Sequence, residues 1–178
     1  MRARLLVPLG AALAIVIGGA HAPPAAPPGP TGPGAGGAPP QRLAWPLGPS
    51  WTETQPYGCT QFQLEPPASW CPSGHVHTGI DMAAPLGTPV HAAAAGVAQV
   101  AESSGGYGLY VTVDHGGRVA TLYGHLDSTA LRGGESLAAG QELGRLGSSG
   151  LSTGPHLHFE VRREGRPVDP APWLPANP

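Results

Sequence analysis

Glycine and proline cut this chain into pieces too short for ordinary helices. Of 178 residues, 28 are Gly and 23 are Pro. Beyond residue 40 no stretch between them carries a sustained helical period. What remains are short β-prone runs at 89–93, 96–103, 109–115, 118–125, 142–147 and 156–162. Val111-Thr112-Val113 alternates apolar and polar, as a half-buried strand does. His115-Gly116-Gly117 reads as a hairpin turn between two such runs. Residues 128–137 read as a loop with at most one helical turn. The pattern predicts an all-β (β-dominated) domain, antiparallel, built as a two-sheet sandwich. No internal repeat is visible.

The ends divide the chain. Residues 1–22 read as a secretory signal peptide, with Arg2 and Arg4 before an apolar core and Ala20-His21-Ala22 as a small-x-small cleavage site. A retained membrane anchor is the alternative, opposed by Pro8 and the shortness of the apolar core. No Cys follows that core, so a lipoprotein anchor has no support. No other apolar run is long enough to span a bilayer, so no stable membrane span is expected after signal cleavage. Residues 23–40 are nearly all Pro, Gly and Ala and read as a disordered linker. Residues 41–178 are enough for one domain with a real core.

All nine basic residues are Arg, against eleven Asp+Glu. Loss of the leader removes two of them and leaves a net charge of −4 with His neutral. Such a chain has no broad basic field for nucleic acid. Cys59 and Cys71 are the only cysteines, and an even pair in an exported chain predicts a disulfide just before His77.

Chemistry concentrates in two segments. In His156-Leu157-His158-Phe159 the histidines are two apart, so a strand projects both to one face and turns Leu157 and Phe159 to the other. Two imidazoles held together call for a metal. Upstream, His77-Thr78-Gly79-Ile80-Asp81 offers two more ligands. Fully extended, His77 and Asp81 would lie roughly 13 Å apart, too far for one ion. Gly79 is therefore expected to let the backbone fold, so that the pair converges at a turn entering a strand. His77, Asp81 and one of His156 or His158 give two nitrogens and one oxygen. Three protein ligands with an open fourth position is the catalytic zinc arrangement. Spacing alone leaves open which member of the late pair binds.

These residues resemble peptidase family M23, the lysostaphin-type (LytM-like) zinc metallopeptidases of bacterial cell walls. The likeness runs through His77-x-Gly-x-Asp81, residues 83–90, Gly105-Gly106-Tyr107-Gly108, Tyr123-Gly124-His125, Gly140-Gln141 and 152–160, and covers roughly residues 45 to 174. It implies that His77, Asp81 and His158 bind one Zn²⁺ and that His125 and His156 are catalytic. It also implies a groove with a sheet floor and loop walls. Some relatives have lost ligands and act as regulators; here all five positions are filled. The Cys-bracketed segment departs from the shorter form of the family.

Other residues carry weaker signals. His75-Val76-His77 also has period two, but Gly79 and Asp81 favour His77, leaving His75 for the groove rim. His91 and His115 read as structural. Tyr57, before a Gly, is a packed turn aromatic or a groove residue. Asp114 and Asp127 lack paired-carboxylate spacing. Glu160 serves either behind His158 or in a surface ion pair. No Gly-x-Ser-x-Gly element supports a serine hydrolase, and no His-Glu-x-x-His element supplies a helical base.

The expected function is a secreted zinc metalloendopeptidase, monomeric, that hydrolyses peptide cross-links of peptidoglycan in the cell wall or periplasm. The alternatives are a non-catalytic regulator of a cell-wall amidase and an exported protease acting on Gly-rich proteins.

Overall fold

Twelve strands and one short 3₁₀ turn account for the regular structure of the computed structural model, which describes residues 42–176. The expected leader and linker lie outside the described residues. The strands are β1 (Thr52–Gln55), β2 (Gly58–Thr60), β3 (His75–His77), β4 (Ile80–Ala83), β5 (Pro89–His91) and β6 (Gly96–Ser103). They continue with β7 (Gly108–Asp114), β8 (Val119–Ser128), β9 (Ser136–Leu137), β10 (Glu142–Leu146), β11 (His156–Arg163) and β12 (Arg166–Val168). Among the described residues no helix is long and apolar enough to cross a membrane.

The expected all-β, antiparallel class is what the chain adopts. Ten strands form one sheet, whose main path of seven runs β1-β4-β11-β8-β7-β6-β9 with β12 beside β11, and β2 and β3 pair as a separate small sheet. β10 joins β8 to β5, so the same sheet branches beyond its main path. The β-prone runs read from the sequence coincide, within a few residues at their ends, with β5 to β8, β10 and β11. The early strands β1 to β4 are only three or four residues each, too short for periodicity to register. The 128–137 segment is a loop that ends in the two-residue β9.

Period two governs the middle of the sheet. Leu157, Phe159 and Val161 of β11 are fully buried and pack with Met82, Tyr123 and Leu126 in the main core. Tyr123 and Phe159 meet at a ring separation of 5.4 Å. Truncating Phe159 to Ala would cost about 3–5 kcal/mol by transfer and cavity terms. The opposite face of β11 carries His156, His158, Glu160 and Arg162. The strands that anchor the core are therefore the strands that aim the histidines, which suits a site needing fixed geometry.

Candidate metal centre

β4 lies beside β11, with Asp81 opposite His158 in the register. His77 ends β3, and Thr78 and Gly79 bend the chain into β4. The convergence expected of His77 and Asp81 is present, but Gly79 serves it differently. Its backbone is not in the left-handed region. A Cβ there would sit 2.4 Å from the Phe159 carbonyl oxygen and 3.0 Å from His158 Cε1. Glycine is required because β11 passes against the bend.

Three ligand atoms meet at this crossing. His77 Nε2 lies 3.1 Å from Asp81 Oδ1 and 3.0 Å from His158 Nδ1, and His158 Nδ1 lies 2.9 Å from Asp81 Oδ1. Those separations approach the edges, about 3.3 Å, of a tetrahedron built on 2.0 Å bonds. All three residues are buried, His77 completely. The donor set itself asks for a cation. His77 donates its Nδ1–H to the Pro56 carbonyl at 2.9 Å, which leaves Nε2 as a lone pair. His158 donates Nε2–H to Glu160 at 3.2 Å, which leaves Nδ1 free. Two imidazole lone pairs and a carboxylate oxygen then face one another with no donor between them. A divalent ion resolves this, and the outward hydrogen bonds are those that orient metal-ligating histidines.

Charge within the cluster follows. Burial would raise the Asp81 carboxyl, but hydrogen bonds and charge from His158 and His77 outweigh it and hold the group well below the usual carboxylate range. Burial would lower His158, yet its bonds to Asp81 and Glu160 push it up to about 9. Without a cation, a proton takes the cation's place.

Behind His158 stands a network the sequence indicated only in part. Glu160 is fully buried. Its Oε1 accepts from Thr78 Oγ1 at 2.6 Å and Tyr107 Oη at 2.7 Å, and its Oε2 accepts from Arg162 Nε at 2.6 Å. Burial raises this carboxyl, while His158, Arg162 and Thr78 lower it more, to about 2. The surface ion pair considered for Glu160 is thus a buried one. The sequence reading gives neither Tyr107 nor Thr78 a role, because Tyr107 arrives on a separate turn, named only within the Gly105–Gly108 likeness, and Thr78 looks like a spacer.

Two further imidazoles flank the cluster. His125 and His156 have ring centroids 4.6 Å apart. His125 sits in β8 at φ 58°, a left-handed conformation unusual for a non-glycine residue. The β7–β8 register slips between Leu109 and Val111, so β8 carries an extra residue there. This bulge turns His125 toward His156, a common device beside functional sites. His125 donates Nδ1–H to the Ser149 carbonyl at 2.8 Å. Burial is the main cause that pushes its imidazole down to about 4, so it is neutral. His156 donates Nδ1–H to the Gly154 carbonyl at 2.8 Å and turns Nε2 toward Asp81 Oδ2 at 3.6 Å.

All five sequence-selected residues therefore gather in one place. Asp81, His125, His156 and His158 line a groove of about 630 Å³. One wall is the segment 62–67 and the other combines 105–107 with 151–153. The remaining candidates lie apart. His75 bonds the Glu65 carbonyl at 2.7 Å beneath the first wall. His115 bridges Ala95 and Thr121, and Asp114 accepts from the Gly116 amide. Tyr57 packs against the core. His91 and Asp127 do not line the groove. Cys59 and Cys71 form the expected disulfide.

Comparison with known proteins agrees with this geometry. The model for "Peptidase family M23" matches residues 75–170. The DD-carboxypeptidase/endopeptidase Mpg of Neisseria meningitidis serogroup B is 50% identical over 95 residues, 53% of this chain and 22% of that protein. The murein hydrolase activator EnvC of Escherichia coli is 43% identical over 96 residues, 54% of this chain and 23% of that one. A zinc-containing peptidase from Vibrio cholerae superposes with a TM-score of 0.61 at 30% identity, over 72% of this chain and 39% of that one. The chain spans only about a fifth of the length of these two curated relatives. With more than half of its residues inside the family's own pattern, the chain belongs to peptidase family M23.

Proposed function

We propose that this chain is a zinc metalloendopeptidase that acts outside the cytoplasm on peptide cross-links of bacterial peptidoglycan. The observation that carries the reading is the trio of apposed acceptors on His77, Asp81 and His158 at the base of an open groove. These residues would hold one Zn²⁺. The ion supplies Lewis-acid polarisation of a scissile carbonyl and of an attacking water.

The protein's own residues do the rest. His125, held neutral, offers its Nε2 lone pair and orients the water by accepting a hydrogen bond. His156 takes the proton at Nε2, because the resulting charge faces Asp81 Oδ2 at 3.6 Å. It then returns that proton to the leaving amine, the ordinary acid–base pairing of hydrolysis. Glu160 keeps the His158 ring in the tautomer that points Nδ1 at the cluster. The strand floor fixes these groups, and the loop walls hold an extended peptide.

The second reading is a non-catalytic regulator, favoured by the likeness to an activator of murein hydrolases. Such a role has no use for a converged acceptor trio with two poised imidazoles beside it. Purified sacculi decide between them. Chelator-sensitive release of fragments, identified by mass spectrometry and accompanied by one zinc per chain, supports the peptidase. Intact sacculi after incubation with the zinc-loaded chain support the regulator. Faster digestion of Gly-rich soluble protein than of wall would move the substrate to the third alternative.

A further inference from the structure

We propose that Glu65 is a specificity-determining residue of the groove, and that it recognises a primary ammonium group on an aliphatic stem of the bound peptide. The inference rests on the reading of the groove as a peptide-binding site.

The wall that carries Glu65 lies outside the stretch that the family pattern matches. The family pattern begins at residue 75, whereas this wall is residues 62–67. It is built and fastened. The Cys59–Cys71 disulfide closes the segment over a separation of 12 residues. From beneath, His75 donates Nδ1–H to the Glu65 carbonyl at 2.7 Å, and the Val76 amide donates to Pro66 at 3.0 Å. The small β2–β3 sheet ties the base of the wall to His77 itself. Glu65 is therefore held in register with the metal centre.

Its carboxylate is half-buried and faces the groove. Oε1 accepts from Gln55 Nε2 at 3.3 Å. Among the described residues no Arg or His lies within ion-pair distance of it, and the groove lining contains no Arg or Lys. Burial raises this carboxyl, and His77 and His158, beyond ion-pair distance, together with the Gln55 bond offset that only in part, so the site favours a ligand that brings a cation directly to it. The surroundings specify the rest of that ligand. Phe62 is 41% exposed, Leu64 47% and Leu151 42%, and all three line the groove. Apolar walls leading to the Glu65 carboxylate suit a methylene stem that ends in an ammonium group. A diamino-acid residue or an unblocked amino terminus has that shape.

The test compares two pentapeptides, each capped at its amino terminus by the same fluorophore. One carries a free lysine ε-ammonium and the other its N-acetyl derivative. Binding to the zinc-loaded full chain is read by fluorescence anisotropy. The free amine should bind roughly tenfold to a hundredfold tighter, the worth of one charge-assisted hydrogen bond. That preference should shrink with added salt. E65Q should abolish the preference, and E65D should keep part of it. Equal affinity for the two peptides, binding of neither, or a preference that survives in E65Q overturns the proposal. Digestion of sacculi is measured on the same preparation. Discrimination without digestion defeats the peptidase reading alone, and digestion without discrimination defeats the Glu65 assignment alone.

Discussion

His77 Nε2 and His158 Nδ1 stand 3.0 Å apart, and each ring already donates its other nitrogen outward, to Pro56 and to Glu160. A proton or a metal ion must mediate between them. In the cation-free protein burial opposes protonation of His158, but Asp81 and Glu160 outweigh it and raise the group to about 9. Zinc binding at pH 7.5 is therefore expected to release a proton. Titration calorimetry in buffers of different ionisation heat reads this as a buffer-dependent enthalpy. Apparent affinity should fall about tenfold for each pH unit below 9 while a single proton competes. A buffer-independent enthalpy would remove His158 from the ligand set.

The same shift sets the pH dependence of the cation-free fold. His158 has a raised folded-state pKa, so its contribution is complete below the unfolded value of about 6.5 and is lost as pH rises toward 9. His125 has the opposite sign. Its pKa is depressed to about 4, so its contribution is present above about 6.5 and is lost as pH falls through 4. Metal-free protein should melt at its highest temperature between these limits. Zinc-loaded protein should lose the alkaline decline, because the ion replaces the proton. Thermal melts from pH 4 to 9.5, with and without chelator, check both arms.

Removal of single imidazoles separates binding from turnover. His77→Ala, Asp81→Ala and His158→Ala should each lose zinc and activity together. His125→Ala and His156→Ala should retain zinc by elemental analysis, while wall hydrolysis falls about 10²- to 10⁴-fold, the usual worth of acid–base groups. Loss of zinc from either of the last two would place that histidine among the ligands.

Much of this was legible in the sequence, and the limits have physical causes. The long strands β6, β7, β8 and β11 run over seven to ten residues, enough for β-prone composition between turn residues to show, and in β11 for a period of two. That period also placed His156 and His158 on one face. The places of Tyr107, Thr78 and Glu65 stayed hidden because each reaches the groove through a turn or a wall whose path is set by partners elsewhere. The role of Gly79 was misread for a related reason. Its constraint comes from the Phe159 carbonyl, eighty residues later, and not from its own torsion angles.

Gly79→Ala tests that contact. The added methyl would collide with backbone, which cannot yield as a flexible side chain does. Overpacking of this kind costs about 1–3 kcal/mol. Because the same methyl presses on His158, zinc affinity should fall along with the melting temperature. Normal affinity in the variant would show that the β11 edge shifts freely.

Glu160→Gln tests how the ring behind the cluster is held. The amide still fills the space but loses the charge that supports the His158 Nε2–H. Zinc affinity is expected to drop about 10- to 100-fold, the usual effect of disturbing such a partner. Competition with a chromogenic chelator measures it. Turnover per bound zinc should change much less, since Glu160 does not line the groove. An unchanged affinity would mean that Tyr107, Thr78 and the backbone fix the ring without the carboxylate.

Replacing both cysteines by serine separates the wall from the metal centre. Closing a loop of this length is worth about 3 kcal/mol on the chain-entropy model, so the melting temperature should fall accordingly. The proposed ligands sit on β3, β4 and β11, and zinc affinity should hold. The wall would lose its covalent closure, and KM for wall peptides should rise several-fold with little change in kcat, the mark of lost positioning with intact chemistry. A fall in kcat with unchanged KM would show that the disulfide steadies His77 through the β2–β3 pairing, and that the stapled segment belongs to the metal centre as well as to the groove.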